Sequence, residues 1–65
     1  MIAEVGTLVI IKVDFRLSRH IRITEGDYGI IIGYPTEESA SLFDYLVACN
    51  GINIFLFKHE IELVN

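Results

Sequence analysis

The sequence predicts an all-β domain, a small five-stranded barrel that is closed or partly open. Its apolar runs have the length of strands and are rich in β-branched residues, as in LVII at 8–11 and III at 30–32. Asn50-Gly51 separates two such runs, and Asn-Gly is a strong hairpin signal because a type I′ turn needs two positive φ angles. Strands this apolar also favour a barrel, because a barrel leaves few edges free to pair with another chain.

The first half of the chain divides into two strands and two loops. The first strand is predicted over 5–13, and a long polar loop, expected to be irregular, follows over 14–27. The second strand covers 28–34, and a loop that begins with proline covers 35–41. A helix over 36–48 is the main alternative, but the neighbouring Asn-Gly hairpin argues against a long one.

The second half is a hairpin followed by one short strand. The third and fourth strands are predicted over 42–49 and 52–57, antiparallel across the Asn-Gly turn. The segment 58–60, Lys-His-Glu, predicts a single tight turn of the 3₁₀ type, and 61–64 the last strand. We expect the five strands to form one domain over residues 1–65.

The order of these motifs is similar to that of a known fold family. The chain carries GTLVII at 6–11, GDYGIII at 26–32, YLV at 45–47, the Asn-Gly hairpin and EIELV at 60–64. Together they resemble a small SH3-like barrel of the KOW-like or phage-encoded type, over about residues 5–64. The layout is also similar to small SH3-like accessory subunits of photosynthetic and redox complexes. The resemblance implies a long loop after strand 1, a short 3₁₀ turn before the last strand, and no fixed function.

The sequence departs from that family in two ways, and each departure argues against one of the family's binding functions. Peptide-binding SH3 domains grip proline-rich ligands with a Trp and an acidic loop, whereas this chain has no Trp and its corresponding loop is basic. Nucleic-acid-binding KOW domains tend to be basic, whereas this chain has a formal net charge of −4. Recognition of proline-rich peptides is therefore not expected, and broad nucleic-acid binding is disfavoured.

The length and the cysteine content favour association with another chain. A core in a domain of this size supplies only about 3–5 kcal/mol unless something else adds stability. A disulfide within the chain is excluded because Cys49 is the only cysteine, and a lone thiol suits a reducing compartment. His20, His59 and Cys49 lack the spacing of a zinc site. Oligomerisation remains, and the apolar content of 52% favours it.

No segment predicts a membrane anchor or an export signal. The longest apolar runs fall far short of the roughly 20 residues that a spanning helix needs. The N-terminal MIAEVGT lacks the positive region and the apolar core of a signal peptide. We therefore expect a cytoplasmic protein, in the host cytoplasm if the chain is phage-encoded.

A basic cluster is the first candidate site. Arg16, Arg19 and Arg22, three of the five cationic side chains, lie in one loop together with His20. Such a cluster predicts a site for an anion or an acidic partner, because arginine offers forked hydrogen bonds. The alternative is a solvated loop whose arginines pair with nearby carboxylates.

The other candidate residues indicate structural roles. Glycines at 26 and 29 favour a turn and a close approach of strands, without the Lys-Ser/Thr of a phosphate-binding loop. Cys49 is expected to be a small buried hydrophobe and His59 a surface or capping residue. No catalytic constellation, metal site or cofactor site is predicted, so we expect a protein that is not an enzyme.

The predicted hairpin of the third and fourth strands is apolar on both faces. Alternation places Asn53 with Phe55 and Phe57, and Asp44 with Leu42 and Leu46. These polar residues mark the outward faces, so the predicted interface consists of Leu42, Leu46, Phe55 and Phe57. The alternative is that the 14–27 loop covers this face with its own apolar residues: Phe15, Leu17, Ile21 and Ile23.

These observations predict a non-catalytic interaction module. It would form a homo-oligomer or dock as an accessory subunit on a larger protein. The alternative function is KOW-like nucleic-acid binding through the basic segment 16–22.

Overall fold

The computed structural model describes residues 3–36 and 42–64, and in these residues the protein is all-β, with one 3₁₀ turn and no α-helix. The strands are β1 (Leu8–Ile11), β2 (Phe15–Arg16), β3 (Arg22–Ile23), β4 (Tyr28–Gly33), β5 (Tyr45–Cys49), β6 (Ile52–Leu56) and β7 (Ile61–Leu63). The 3₁₀ turn, Lys58–Glu60, lies where the sequence predicts it. The all-β prediction is confirmed, with strands somewhat shorter than expected.

Five of the strands form one antiparallel sheet in the order β6-β5-β4-β1-β7. The last strand returns to pair with the first, so β1 lies between β4 and β7. Strands β2 and β3 form a separate two-stranded sheet. Within residues 3–36 and 42–64, β6 and β7 do not pair with each other, and the hydrogen-bonded ladder is therefore open.

The β5–β6 hairpin turns at Asn50 and Gly51, as the sequence predicts. Their φ angles are 52° and 81°, the positive values that a type I′ turn requires. The Asn50 side-chain amide also donates to Asp27 Oδ2 at 2.9 Å, which ties this turn to the turn before β4. The hairpin register, from Tyr45 opposite Leu56 to Cys49 opposite Ile52, follows from this two-residue connection.

One face of the five-stranded sheet, which we call the inner face, carries the core. Alternate residues of each strand are buried there, and they pack with a residue of the β2–β3 hairpin. The buried residues are Val9, Ile11, Ile23, Ile31, Tyr45, Val47, Cys49, Leu56 and Ile61. The hairpin therefore covers the inner face.

The predicted irregular loop over 14–27 contains this hairpin, so that part of the prediction is wrong. Phe15 lies opposite Ile23 and Arg16 lies opposite Arg22. Ile23 is fully buried and Phe15 packs partly buried on the core, whereas both arginines are exposed. The sequence does not predict the hairpin because strands of two residues are too short to show an alternating pattern.

The same contacts show whether the 14–27 segment covers the apolar outward face of the β5–β6 hairpin. The 14–27 segment packs on the inner face through Ile23 and Phe15, and leaves Leu17 and Ile21 exposed. The alternative in which this segment covers the outward face of the β5–β6 hairpin is therefore wrong.

The third strand begins at Tyr45 rather than at residue 42, because the chain bends at Asp44. Asp44 Oδ2 accepts a hydrogen bond from the Lys58 backbone N–H at 2.7 Å, at the start of the 3₁₀ turn. Residues before the bend leave the strand alternation, and the Phe43 ring packs tilted against that of Phe57, with ring centroids 4.6 Å apart. Of the alternative helix over 36–48, the part at 45–48 is strand, and 37–41 lie outside the described residues.

Two glycines of β4 provide a matched test of packing between β4 and β5. A Cβ on Gly29 would lie 2.7 Å from Val47 Cγ1 and 3.1 Å from the Ala48 carbonyl oxygen, whereas one on Gly33 would meet only Leu46 Cδ2 at 3.9 Å. We expect Gly29→Ala to lower the free energy of unfolding by about 1–3 kcal/mol in urea denaturation, because overpacking forces the strands apart. Gly33→Ala should change it far less, and equal effects would contradict the observed packing.

Candidate apolar interface and arginine hairpin

The face of the five-stranded sheet opposite the core is apolar and open to solvent. Leu8 lies opposite Ile30 across β1 and β4, and Leu46 lies opposite Phe55 across β5 and β6. Ile30 is 45% exposed and Phe55 38% exposed, although a sheet face open to water is usually polar. We call this surface the outer face, and its large aliphatic and phenylalanine side chains are Leu8, Ile10, Ile30, Ile32, Leu46 and Phe55. By register, Tyr28, Asn53 and Glu62 lie on the same face.

The four residues predicted as an interface do not all lie on this face. Leu46 and Phe55 lie on it as cross-strand neighbours. Leu42 is 81% exposed but lies in a turn before β5, outside the sheet. Phe57 follows the last residue of β6 and is partly buried by other rings.

The rings near the end of β6 form a connected aromatic cluster. Phe43 lies 5.9 Å from Phe55 and 4.6 Å from Phe57 between ring centroids, and Phe57 stacks on His59 at 5.4 Å. The Phe57 N–H donates to Glu60 Oε1 at 2.9 Å, which fixes the 3₁₀ turn that carries His59. The cluster therefore extends the outer face at its β6 edge, with His59 in a packing role.

The predicted basic site is assembled at the tip of the β2–β3 hairpin. Arg16 and Arg22 are directly opposite cross-strand partners, and the connection between them carries Arg19 and His20. These side chains and Ser18 line an open concavity of about 330 Å³. The structure therefore brings all four predicted residues together on one exposed surface.

Two nearby carboxylates, those of Asp14 and Asp27, accept hydrogen bonds from other groups rather than from these arginines. Asp14 Oδ1 accepts from the Glu25 N–H at 2.7 Å. Asp27 Oδ2 accepts from the Thr24 N–H at 2.8 Å and from Asn50, and these two hydrogen bonds lower the pKa of Asp27, the Thr24 bond having the larger effect. Among residues 3–36 and 42–64, the one ion pair within 4.0 Å joins Lys12 and Glu62.

The remaining chemical groups hold structural positions. Cys49 is buried in the core, and burial, with a smaller contribution from the charge of Asp27, raises the pKa of its thiol. In the part of the chain that the structure describes, no group of three or more His, Cys, Asp or Glu side chains is placed to hold a metal ion. The described residues also contain no helix long and apolar enough to cross a membrane.

Sequence reasoning missed most of the outer face. The sequence places Leu8, Ile30 and Ile32 in strands, but both faces of those strands are apolar, so alternation does not reveal which face is exposed. The strand register identifies the exposed side, because Ile30 lies opposite Ala48, and Ala48 lies opposite the exposed Asn53. A polar residue on one strand thus marks the exposed side of its neighbours.

The chain matches no protein-family model, and comparison with curated proteins and with solved structures finds no match either.

Proposed function

We propose that the protein is a non-catalytic interaction module whose binding surface is the outer face of the sheet. It forms a homo-oligomer or docks as a small accessory subunit on a larger protein, in a reducing cytoplasm where its lone thiol stays reduced. The exposed apolar surface carries this proposal. Four large side chains of the outer face are exposed on one sheet: Leu8, Ile30 and Ile32 lie on the neighbouring strands β1 and β4, and Phe55 lies on the edge strand β6.

The energetics of a small domain support association through this surface. Burial of one such side chain is worth about 1.5–3 kcal/mol. Two or three of them per protomer rival the roughly 3–5 kcal/mol expected of an isolated domain of this size. Contiguous exposed apolar patches on soluble domains commonly mark interaction sites.

The open edge at β6 adds a second mode of contact beside the outer face. One edge of β6 pairs with β5, and no described strand pairs with its other edge. The β6 residues, INIFL, carry no charge. Free edges are usually protected by charged residues, proline or bulges. The opposite edge strand, β7, has Glu62, which pairs with Lys12 at 3.8 Å. A partner on the outer face therefore has an unprotected edge within reach at β6 but not at β7.

We further propose that the architecture is an SH3-like barrel, partly open between β6 and β7. In its support, the first strand is followed by a long connection, three strands then form a meander, and a single 3₁₀ turn precedes the last strand. The last strand, β7, also pairs with the first, β1, and the β2–β3 hairpin covers the inner face.

Concentration-dependent NMR spectra test the proposed surface. We expect the methyl signals of Leu8, Ile30 and Ile32 to shift as the protein concentration rises, and to do so at high salt as well, because apolar association persists there. Signals of the inner core, such as Val47, serve as the control. Shifts confined to other surfaces would contradict the outer face as the binding surface, and spectra that do not change with concentration would contradict self-association.

Nucleic acid is the second candidate partner, and the arginine hairpin is the observation that favours it. Three arginines release few counterions, so such binding would be weak and would fall steeply with salt. The other two cationic residues, Lys12 and Lys58, do not extend the basic surface of the hairpin. Lys12 pairs with Glu62 of β7, and Lys58 begins the 3₁₀ turn. Salt thus separates the two functions.

A further inference from the structure

We infer that the tip of the β2–β3 hairpin is a binding site for a compact phosphate dianion, the head group of a phosphate monoester or free phosphate. The site consists of Arg16, Arg19, Arg22, Ser18 and His20 around the concavity between them. It is independent of the outer face, because it lies on a separate two-stranded sheet.

The cross-strand pair of arginines is unfavourable without an anion. Directly opposed residues of an antiparallel pair have Cβ atoms about 4.5–5.5 Å apart, and like charges at such positions are destabilising. Arg16 and Arg22 occupy these positions in a hairpin whose strands have only two residues each. A dianion between the two guanidinium groups removes this repulsion and accepts their forked hydrogen bonds.

Within residues 3–36 and 42–64, these arginines have no ion-pair partner. In the described parts of the chain, no carboxylate lies within 4.0 Å of any of the three guanidinium groups. Asp14 and Asp27, the nearest aspartates in the sequence, accept backbone hydrogen bonds in the turn that precedes β4. This arrangement is notable in a chain of net charge −4, where acidic residues outnumber basic ones.

The connection between β2 and β3 is ordered so that it presents a further donor. Ser18 Oγ accepts from the His20 N–H at 3.2 Å and from the Ile21 N–H at 3.1 Å. The Leu17 and Ser18 N–H groups both donate to the Ile21 carbonyl, at 2.9 and 3.2 Å. The Ser18 hydroxyl hydrogen is not needed for any of these bonds, so it is available to an anion in the concavity.

The same geometry favours a compact group over a polymer. The three arginines surround one concavity of about 330 Å³, which lies in the size range of small-ligand sites. A nucleic acid needs a row of cationic residues along its backbone, and the two lysines lie elsewhere, at Glu62 and in the 3₁₀ turn. One doubly charged phosphate matches the site better than a chain of singly charged ones.

Titration with inorganic phosphate at neutral pH and constant ionic strength, followed by amide NMR shifts, tests this site. We expect saturable shifts centred on residues 15–23. In the double variant Arg16→Gln/Arg22→Gln, affinity should fall roughly tenfold for each arginine removed, since each loses a charge-assisted hydrogen bond. The matched control Lys12→Gln/Lys58→Gln makes the same change in net charge and should bind like the parent.

Further titrations, with phosphoserine and with an oligonucleotide, distinguish the possible ligands. Phosphoserine that binds more tightly than inorganic phosphate indicates a monoester, and equal affinities indicate free phosphate; both agree with the proposal. Equal weakening in both double variants, or shifts that rise linearly without saturation, would overturn it. Saturable shifts with a single-stranded oligonucleotide lacking a terminal phosphate, but not with phosphate, would assign the hairpin to nucleic acid and also overturn it.

Discussion

Ile23→Ala should leave the protein largely unfolded at room temperature. Ile23 is fully buried in the core although it comes from a short hairpin outside the main sheet. Truncation of a buried isoleucine to alanine costs about 2–5 kcal/mol, because the lost contacts leave a cavity. The whole domain is expected to hold about 3–5 kcal/mol, so one such change removes most of its stability. Urea denaturation followed by circular dichroism measures the effect.

Ile21→Ala is the matched control for this prediction. It makes the same chemical change two residues away in the same hairpin, but Ile21 is 39% exposed. We expect it to lower the free energy of unfolding by at most about 1 kcal/mol. If both variants were equally mild, the hairpin would not be part of the core and the packing of β3 described above would be wrong.

The second large effect is expected on association. Ile30→Asp and Phe55→Asp, made separately, place a carboxylate on the outer face, and burial of an unpaired charge in an apolar interface is strongly unfavourable. Each variant should be a folded monomer at concentrations where the parent self-associates, as measured by sedimentation equilibrium. Ile30 lies on the central strand β4 and Phe55 on the edge strand β6, so the two changes sample distant parts of the face.

Leu17→Asp controls for the added charge. Leu17 is 50% exposed and lies in the β2–β3 connection, away from the outer face. This variant should associate as the parent does. If all three variants associated equally, or if all three dissociated equally, the outer face would not be the interface. Amide NMR spectra of each variant establish that it is folded, because Phe55 also packs on Phe43 inside the chain.

The parts of the fold that the sequence predicts best are those with local chemical signals. Asn50 and Gly51 adopt the positive φ angles that their residue types favour, and the 3₁₀ turn falls on its predicted residues. Gly29 lies where a Cβ would clash with Val47, in agreement with the predicted close approach of strands. In each case the residue type itself carries the physical reason.

The failures occur where a long-range contact overrides the local pattern. Strands β2 and β3 have two residues each and exist because Ile23 reaches the core. The bend at Asp44 depends on a hydrogen bond from Lys58, fourteen residues further along the chain, and it moves Leu42 and Phe43 out of the strand. The residues of a single strand do not contain both partners of such contacts.

The two candidate sites differ in how far the sequence reveals them. The residues of the arginine cluster are close together in the sequence, so the sequence alone predicts that they share one surface. The structure adds that Arg16 and Arg22 lie directly opposite each other across β2 and β3. The outer face is assembled from four strands, and its exposed side follows only from the register. Leu8 and Ile30 therefore could not be identified as interface candidates from alternation.

The native mass of the unmodified chain tests the central claim most directly. We would measure it by light scattering behind a sizing column, over a range of protein concentrations and at low and high salt. Association through the outer face predicts a dimer or larger species that persists or strengthens at high salt, since salt screens charge and does not weaken apolar contacts. A monomer at every concentration and salt would contradict self-association through this face.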